Sequence, residues 1–272
     1  YPLHILTLAT VLVLQAIYFS LHSNYFVFLY NDGYHLFLQL IFGSHWGFER
    51  GYSFNGPVWS VSIEIGLYAA FYVIAFLRVS GWRSLLAMVA LLLLYQEIGG
   101  GGRWSIALEA FFVGGLTFHA LNGYFAHSWR SPLSDGIIIV GAITRWCLMG
   151  ASETISNIIF ERHRLYSRVL FPLTISALVL LECSGRVDFR RFRWIGDITY
   201  SSYLLHFPLQ IIFALTAARM GYDSAIFYSP WLLISFFAVL IPLSLITFHD
   251  FERPVQSIIR NRALGKRAVE QQ

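Results

Sequence analysis

Eight long apolar blocks dominate the chain, at about 3–21, 58–77, 84–98, 105–121, 135–150, 168–182, 199–218 and 231–249. Crossing a bilayer takes about 20 mostly apolar residues, because the hydrocarbon core is about 30 Å thick and a helix rises about 1.5 Å per residue. Lipid cannot hydrogen-bond a peptide group, so blocks of this length predict helices that satisfy their own backbones. The expected fold is all-α: a polytopic membrane helix bundle of about eight transmembrane helices, forming a single domain over residues 1–272. The third, fifth and sixth blocks are the shortest. His35–Phe42 is too short to cross and reads as an interfacial or re-entrant helix, and Gly99–Gly102 marks a tight turn.

Composition points to the same solvent. Of the 272 residues, 57% are hydrophobic and 12% charged, about half the charged fraction usual in a soluble domain. Cys147 and Cys183 have no metal-ligand spacing and read as two small buried apolar side chains. With eight spans both ends face one side, together with twelve of the basic residues; six lie on the other side and Arg145 falls inside a span. The positive-inside rule then places both ends in the cytoplasm, although Arg162, Arg164 and Arg168 run against it. Basic residues between apolar blocks suit orientation better than nucleic-acid binding.

An ionisable group inside a span costs about 2.5–3.5 kcal/mol on insertion scales, so each one needs a reason. Glu64 sits seven residues into its block, with Ser60 one turn before it and Tyr68 one turn after, on one helical face. Trp59 anchors the start of that helix at the interface, after Pro57. The plain alternative is a Glu paired with an Arg to fix packing. His206 lies in the apolar run Tyr203–Pro208, where a histidine serves equally well as a catalyst or as a hydrogen-bonding strut. Arg103, Glu109 and Arg145 fall at similar depth and either line a polar pocket or neutralise one another. The run from Arg186 to Trp194 contains Arg190, Arg191 and Arg193. It reads as an orientation signal and anionic-lipid contact, or as a cradle for the phosphates of a cytoplasmic donor.

Three segments together resemble the membrane acyltransferases called acyltransferase 3. Asn55-Gly-Pro-Val-Trp-Ser-Val-Ser-Ile-Glu-Ile-Gly-Leu-Tyr68 is similar to that family's W-S-[LV]-S-x-E-x-x-x-Y signature. Trp194-Ile-Gly-Asp-Ile-Thr-Tyr-Ser-Ser-Tyr-Leu-Leu-His206 is similar to its G-x-x-S/T-Y-S-x-Y-L-x-H segment, and Phe248-His-Asp-Phe-Glu-Arg-Pro254 to its closing E-[KR]-P. The opening Tyr1-Pro2-Leu3 resembles the R-x-x-P-L stretch near the family's third helix.

The resemblance implies transfer of an acyl group, commonly acetyl, from acyl-CoA to a hydroxyl of a carbohydrate, glycan or glycolipid acceptor. No permanently bound cofactor is implied. It carries over Glu64, Ser60 and His206 as catalytic candidates and Arg103 as a substrate-binding one, to which position adds Trp59, Tyr68 and Arg145. Arg190, Arg191 and Arg193 are the candidates for binding acyl-CoA. The implied location is a cell membrane of the bacterial inner-membrane type. The family's R/K-x10-H motif, whose histidine is the expected general base, has no counterpart at His4 or His22. The sequence therefore reads as lacking two N-terminal helices of about ten and that base, and so as inactive alone. A transporter or flippase of sugar- or lipid-linked substrates would use similar midplane polar residues, but no inverted repeat or broken helix is evident.

Overall fold

The computed structural model describes residues 1–126, 131–151, 166–185 and 187–269, and every regular element among them is helical. Ten α-helices are described: α1 (Pro2–His22), α2 (Gly33–Leu40), α3 (Trp59–Phe76), α4 (Trp82–Glu97) and α5 (Arg103–Ala126), then α6 (Pro132–Ala151), α7 (Phe171–Cys183), α8 (Arg193–Arg219), α9 (Pro230–Ile246) and α10 (Arg253–Val269). A 3-10 turn at Gly56–Val58 leads into α3 and another at Phe189–Phe192 into α8. Single π turns at Tyr166–Leu170 and Thr247–Glu252 precede α7 and α10.

Five helical runs among the described residues are long and apolar enough to cross a membrane. They are Pro2–His22, Gly56–Phe76, Arg103–Ala126, Phe189–Arg219 and Pro230–Arg262. The other three blocks form α4, α6 and α7, of 16, 20 and 13 residues. At about 1.5 Å per residue, α4 and α7 alone fall short of a 30 Å core. Outward-facing side chains carry the membrane signal further, since Ile17, Phe76, Trp231 and Ile234 are each more than two-fifths exposed. Water would penalise such surfaces; lipid does not. Cys147 and Cys183 are also exposed and unbonded, which corrects the expectation that they are buried. Arg130, Arg162, Arg164 and Arg186, which enter the charge bias, lie outside the described residues.

The chain divides into two compact units, residues 1–64 with 192–272, and residues 65–191. In the first, α8 packs between α1 and α9. Leu8, Val11, Phe54, Phe207 and Ile211 form one buried cluster, and Leu3, Phe42, Val58 and Leu204 another. In the second unit α4 packs on α5 through Leu85, Val89 and Phe112, and α6 packs on α7. Gly66 of α3 lies where the Trp104 ring packs, and a Cβ there would overlap that ring.

The second unit contains a buried ionic network. The carboxylate of Glu109, 1% exposed, accepts from Arg168 Nε and from Gln96 Nε2 at 2.9 Å. Arg168 Nη2 also donates to Gln96 Oε1 at 3.2 Å and to Glu109 Oε2 at 3.2 Å. Glu109 is thus neutralised by Arg168, a partner not anticipated from depth along the sequence. Arg145 Nε is buried without a hydrogen-bond partner among the described residues.

The loop after α1 contains an aspartate–histidine pair that is fully committed. Asp32 caps α2 by accepting from the His35 backbone N–H at 2.8 Å, and its Oδ1 lies 2.7 Å from His35 Nδ1. His35, 1% exposed, uses Nε2 to accept the Arg50 backbone N–H at 3.2 Å. Both ring nitrogens are therefore engaged, which makes this pair a strut rather than a proton shuttle. The backbone bond from His35, followed by the bond from its ring, holds the Asp32 carboxyl below the usual aspartate range. A depressed folded-state pKa stabilises the fold above the unfolded value, and that contribution is lost as pH falls through the folded one. Asp32→Ala is therefore expected to lower the melting temperature at neutral pH. In a pH series of thermal melts, the gap to wild type should close toward strong acid.

Candidate active site

α8 is the organising element of the first unit. It carries Pro208 in its interior, and proline has no N–H to give to the carbonyl four residues back, that of Leu204. In lipid that carbonyl needs another donor. Asn55 Nδ2 supplies it at 3.3 Å, from the Asn55-Gly-Pro segment before α3. Asn55 is fully buried, and Gly56 beside it lies flush against the Phe28 ring, where a Cβ would overlap. Asn55→Ala would leave the Leu204 carbonyl unsatisfied. It is expected to cost about 1–3 kcal/mol in a chemical or thermal unfolding assay in detergent.

One helical step earlier on α8, Tyr203 makes the second junction. Its phenol donates to the Pro57 carbonyl and lies 2.7 Å from Ser60 Oγ. With the phenol proton committed to Pro57, Ser60 is the donor in the second bond. A directional chain results: Ser60 hydroxyl, Tyr203 hydroxyl, Pro57 carbonyl. Ser201 makes the third junction, donating at 2.5 Å to Glu252 Oε2, while Gln256 Nε2 donates to Glu252 Oε1 at 2.9 Å. Glu252, 8% exposed, is delivered by the π turn that closes α9. Single π turns of this kind recur at functional sites. The first and third of the sequence segments, far apart in the chain, thus lock onto residues 201–204 of the second, on α8.

His206 completes this face. Its Nδ1 lies 2.5 Å from the Tyr203 carbonyl, so that nitrogen carries the proton and Nε2 is left as a basic lone pair. The Tyr203 and His206 ring centroids are 5.5 Å apart. Both rings line a cavity of about 690 Å³ between α8 and α9. The α8 side of this cavity adds Thr199, Ser202 and Gln210, whereas the α9 side is apolar, with Leu233, Phe236 and Phe237.

The structure treats the remaining expected residues unequally. Glu64, on the exposed side of α3, makes no hydrogen bond or ion pair among the described residues. Trp59 is half-buried with its ring 5.4 Å from His45, whose Nδ1 is 3.3 Å from Glu49 Oε1. Arg193 is exposed at the start of α8, 4.0 Å from Asp197. Tyr68, Arg103, Arg145, Arg190 and Arg191 belong to the second unit. Of these, Tyr68, Arg103, Arg190 and Arg191 are exposed.

Sequence reasoning passed over Asn55, Ser201, Tyr203 and Glu252 as site-building residues. Pro208 was the available signal, because a proline inside a span obliges some other group to serve Leu204.

No curated protein and no solved structure matches the chain. The acyltransferase 3 family model, described as an acyltransferase domain, matches residues 3–249. That match takes in the first two of the junction-forming segments whole and runs into the third, and the chain belongs to the acyltransferase 3 family of acyltransferases.

Proposed function

We propose that this acyltransferase is an integral, multi-pass membrane enzyme that moves an acyl group from acyl-CoA to a hydroxyl of a carbohydrate, glycan or glycolipid acceptor. The observation that carries this reading is the convergence of Ser60, Tyr203 and His206 on one face of α8 beside a cavity. The eight apolar blocks would all cross the bilayer as one catalytic domain, with both ends cytoplasmic and the membrane of the bacterial inner type.

The acceptor hydroxyl is a poor nucleophile until its proton is withdrawn. His206 Nε2, in place of the R/K-x10-H histidine that the family resemblance implies, takes that proton while the oxygen attacks the thioester carbonyl. The tetrahedral intermediate then expels the CoA sulfur, the C–S bond breaks as the new C–O ester bond is kept, and the thiolate receives the proton from the imidazolium. Ser60, aligned through Tyr203, positions the reacting groups, and Glu64 accepts hydrogen bonds from the acceptor. Trp59 supplies an aromatic face for that acceptor, and Tyr68, Arg103 and Arg145 act as further substrate-binding side chains. Arg190, Arg191 and Arg193, on the turn into α8, hold the phosphates of CoA, for which guanidinium forks are suited.

Acetyl is the acyl group that the family resemblance suggests. The test is acyl transfer by membranes containing the intact protein, supplied with labelled acyl-CoA and candidate glycans. Glu64→Ala and Ser60→Ala are each expected to lower kcat/KM by about 10-fold to 100-fold, as loss of one positioning or hydrogen-bonding group would. Unchanged transfer in both would overturn the site assignment. Substrate uptake into vesicles without ester formation would point to transport instead.

A further inference from the structure

We propose that the cavity along α8 receives an extended acyl-CoA and that its apolar half holds a long hydrocarbon chain, so that the cargo is a long-chain acyl group. This rests on the acyl-CoA reading above and goes beyond it in fixing the length of the acyl group.

The lining residues of α8 run from Thr199 through Ser202, Tyr203, His206 and Gln210 to Phe213, one face of the helix. At about 1.5 Å per residue that stripe is about 21 Å long. Its polarity is graded. Before His206 it presents three hydroxyl groups; beyond His206 it presents Gln210 and then Phe213, whose ring centroid is 5.5 Å from that of Phe236, one turn along α9 from Leu233. The helix itself begins at Arg193, about 20 Å from His206 along the axis.

An extended acyl-CoA has the same order of chemistry: phosphates, then a polar pantetheine arm, then the thioester, then the acyl chain. Placing the phosphates at Arg193 lays the pantetheine amides along Thr199, Ser202 and Tyr203 and brings the thioester to His206. The acyl chain then continues into the aromatic and aliphatic half. An acetyl group ends at His206 and would leave that half without an occupant. A sugar would need polar groups converging from both walls, and the α9 wall contributes only Leu232, Leu233, Phe236, Phe237 and Leu240. The volume of about 690 Å³ lies within the roughly 300–1,000 Å³ of ligand-binding clefts.

The test uses the intact protein in phospholipid nanodiscs with palmitoyl-CoA carrying a diazirine on its chain. Photolabelled peptides are mapped by mass spectrometry, with unlabelled palmitoyl-CoA, acetyl-CoA and polyprenyl phosphate as competitors. Labels are expected on residues 206–213 and 227–240. Palmitoyl-CoA should suppress them at concentrations at least about tenfold lower than acetyl-CoA, because only the long chain buries methylenes there. Leu233→Trp, which narrows the apolar half, should cut labelling several-fold, whereas Ile241→Trp, outside the cavity on the same helix, should not.

Equal protection by acetyl-CoA would overturn the proposal. So would protection by polyprenyl phosphate alone, or labelling spread over the outer faces of α1 and α9 without competition. The wild-type competition decides the matter even if Leu233→Trp does not fold. Transfer from acetyl-CoA without palmitoyl labelling would remove only the long-chain proposal. Failure of acyl-CoA of any length both to protect and to react would remove the donor reading itself.

Discussion

Exchanging His206 for glutamine is expected to slow acyl transfer by about 10²–10⁴-fold, the range for loss of a general base. Glutamine is close in size and its amide can still donate to the Tyr203 carbonyl, which holds His206 Nδ1 at 2.5 Å. Packing against the half-buried surroundings is therefore preserved while the only basic atom is lost. The loss should appear in kcat, with KM little changed, because a group that acts on the proton in transit contributes most in the transition state. A melting curve that overlays wild type would separate this from misfolding. If His206 is only a strut, the glutamine variant keeps its rate, since glutamine makes the same bond.

Truncating Glu109 to alanine is expected to produce the largest loss of stability, about 3–5 kcal/mol, as breaking one partner of a buried ion pair does. Its carboxylate accepts from both Arg168 and Gln96 within α4, α5 and the π turn before α7. Removal leaves a guanidinium, itself 28% exposed, and a buried amide without their shared acceptor. The double variant Glu109→Leu with Arg168→Met should recover much of the loss, since a well-packed apolar replacement removes the charge together with the need to neutralise it. Hydrogen exchange of α4 and α5 in detergent checks both expectations. A Glu109→Ala protein with unchanged protection there would show that the network carries no stability.

The helical fold was legible because lipid leaves a chain few options, and blocks such as 3–21 and 231–249 are apolar around their whole circumference. What was not legible was the pairing of polar groups across the spans. Glu109 and Arg145 lie at similar depth in the sequence, yet Glu109 bonds Arg168, because depth does not tell which faces of two helices meet. Glu64, Ser60 and Tyr68 do share a helical spacing. Only the fold, however, brings Ser60 against Tyr203, a contact between residues 143 positions apart. Glu252 was visible as part of a motif without a stated role, and its role follows from Ser201 and Gln256 converging on it. The span count was harder to read, because α4 has 16 residues and α7 has 13 after a π turn of 5, each run a little under the about 20 of a straight crossing.

The most direct test of the account is single-turnover transfer by the intact protein in proteoliposomes, following CoA thiol release and ester formation on a glycan acceptor in one sample. The expected result is one ester formed for each thiol released, with both lost together in His206→Gln. Thiol release without any ester, or full transfer by that variant, would contradict the assignment of α8 as the catalytic face.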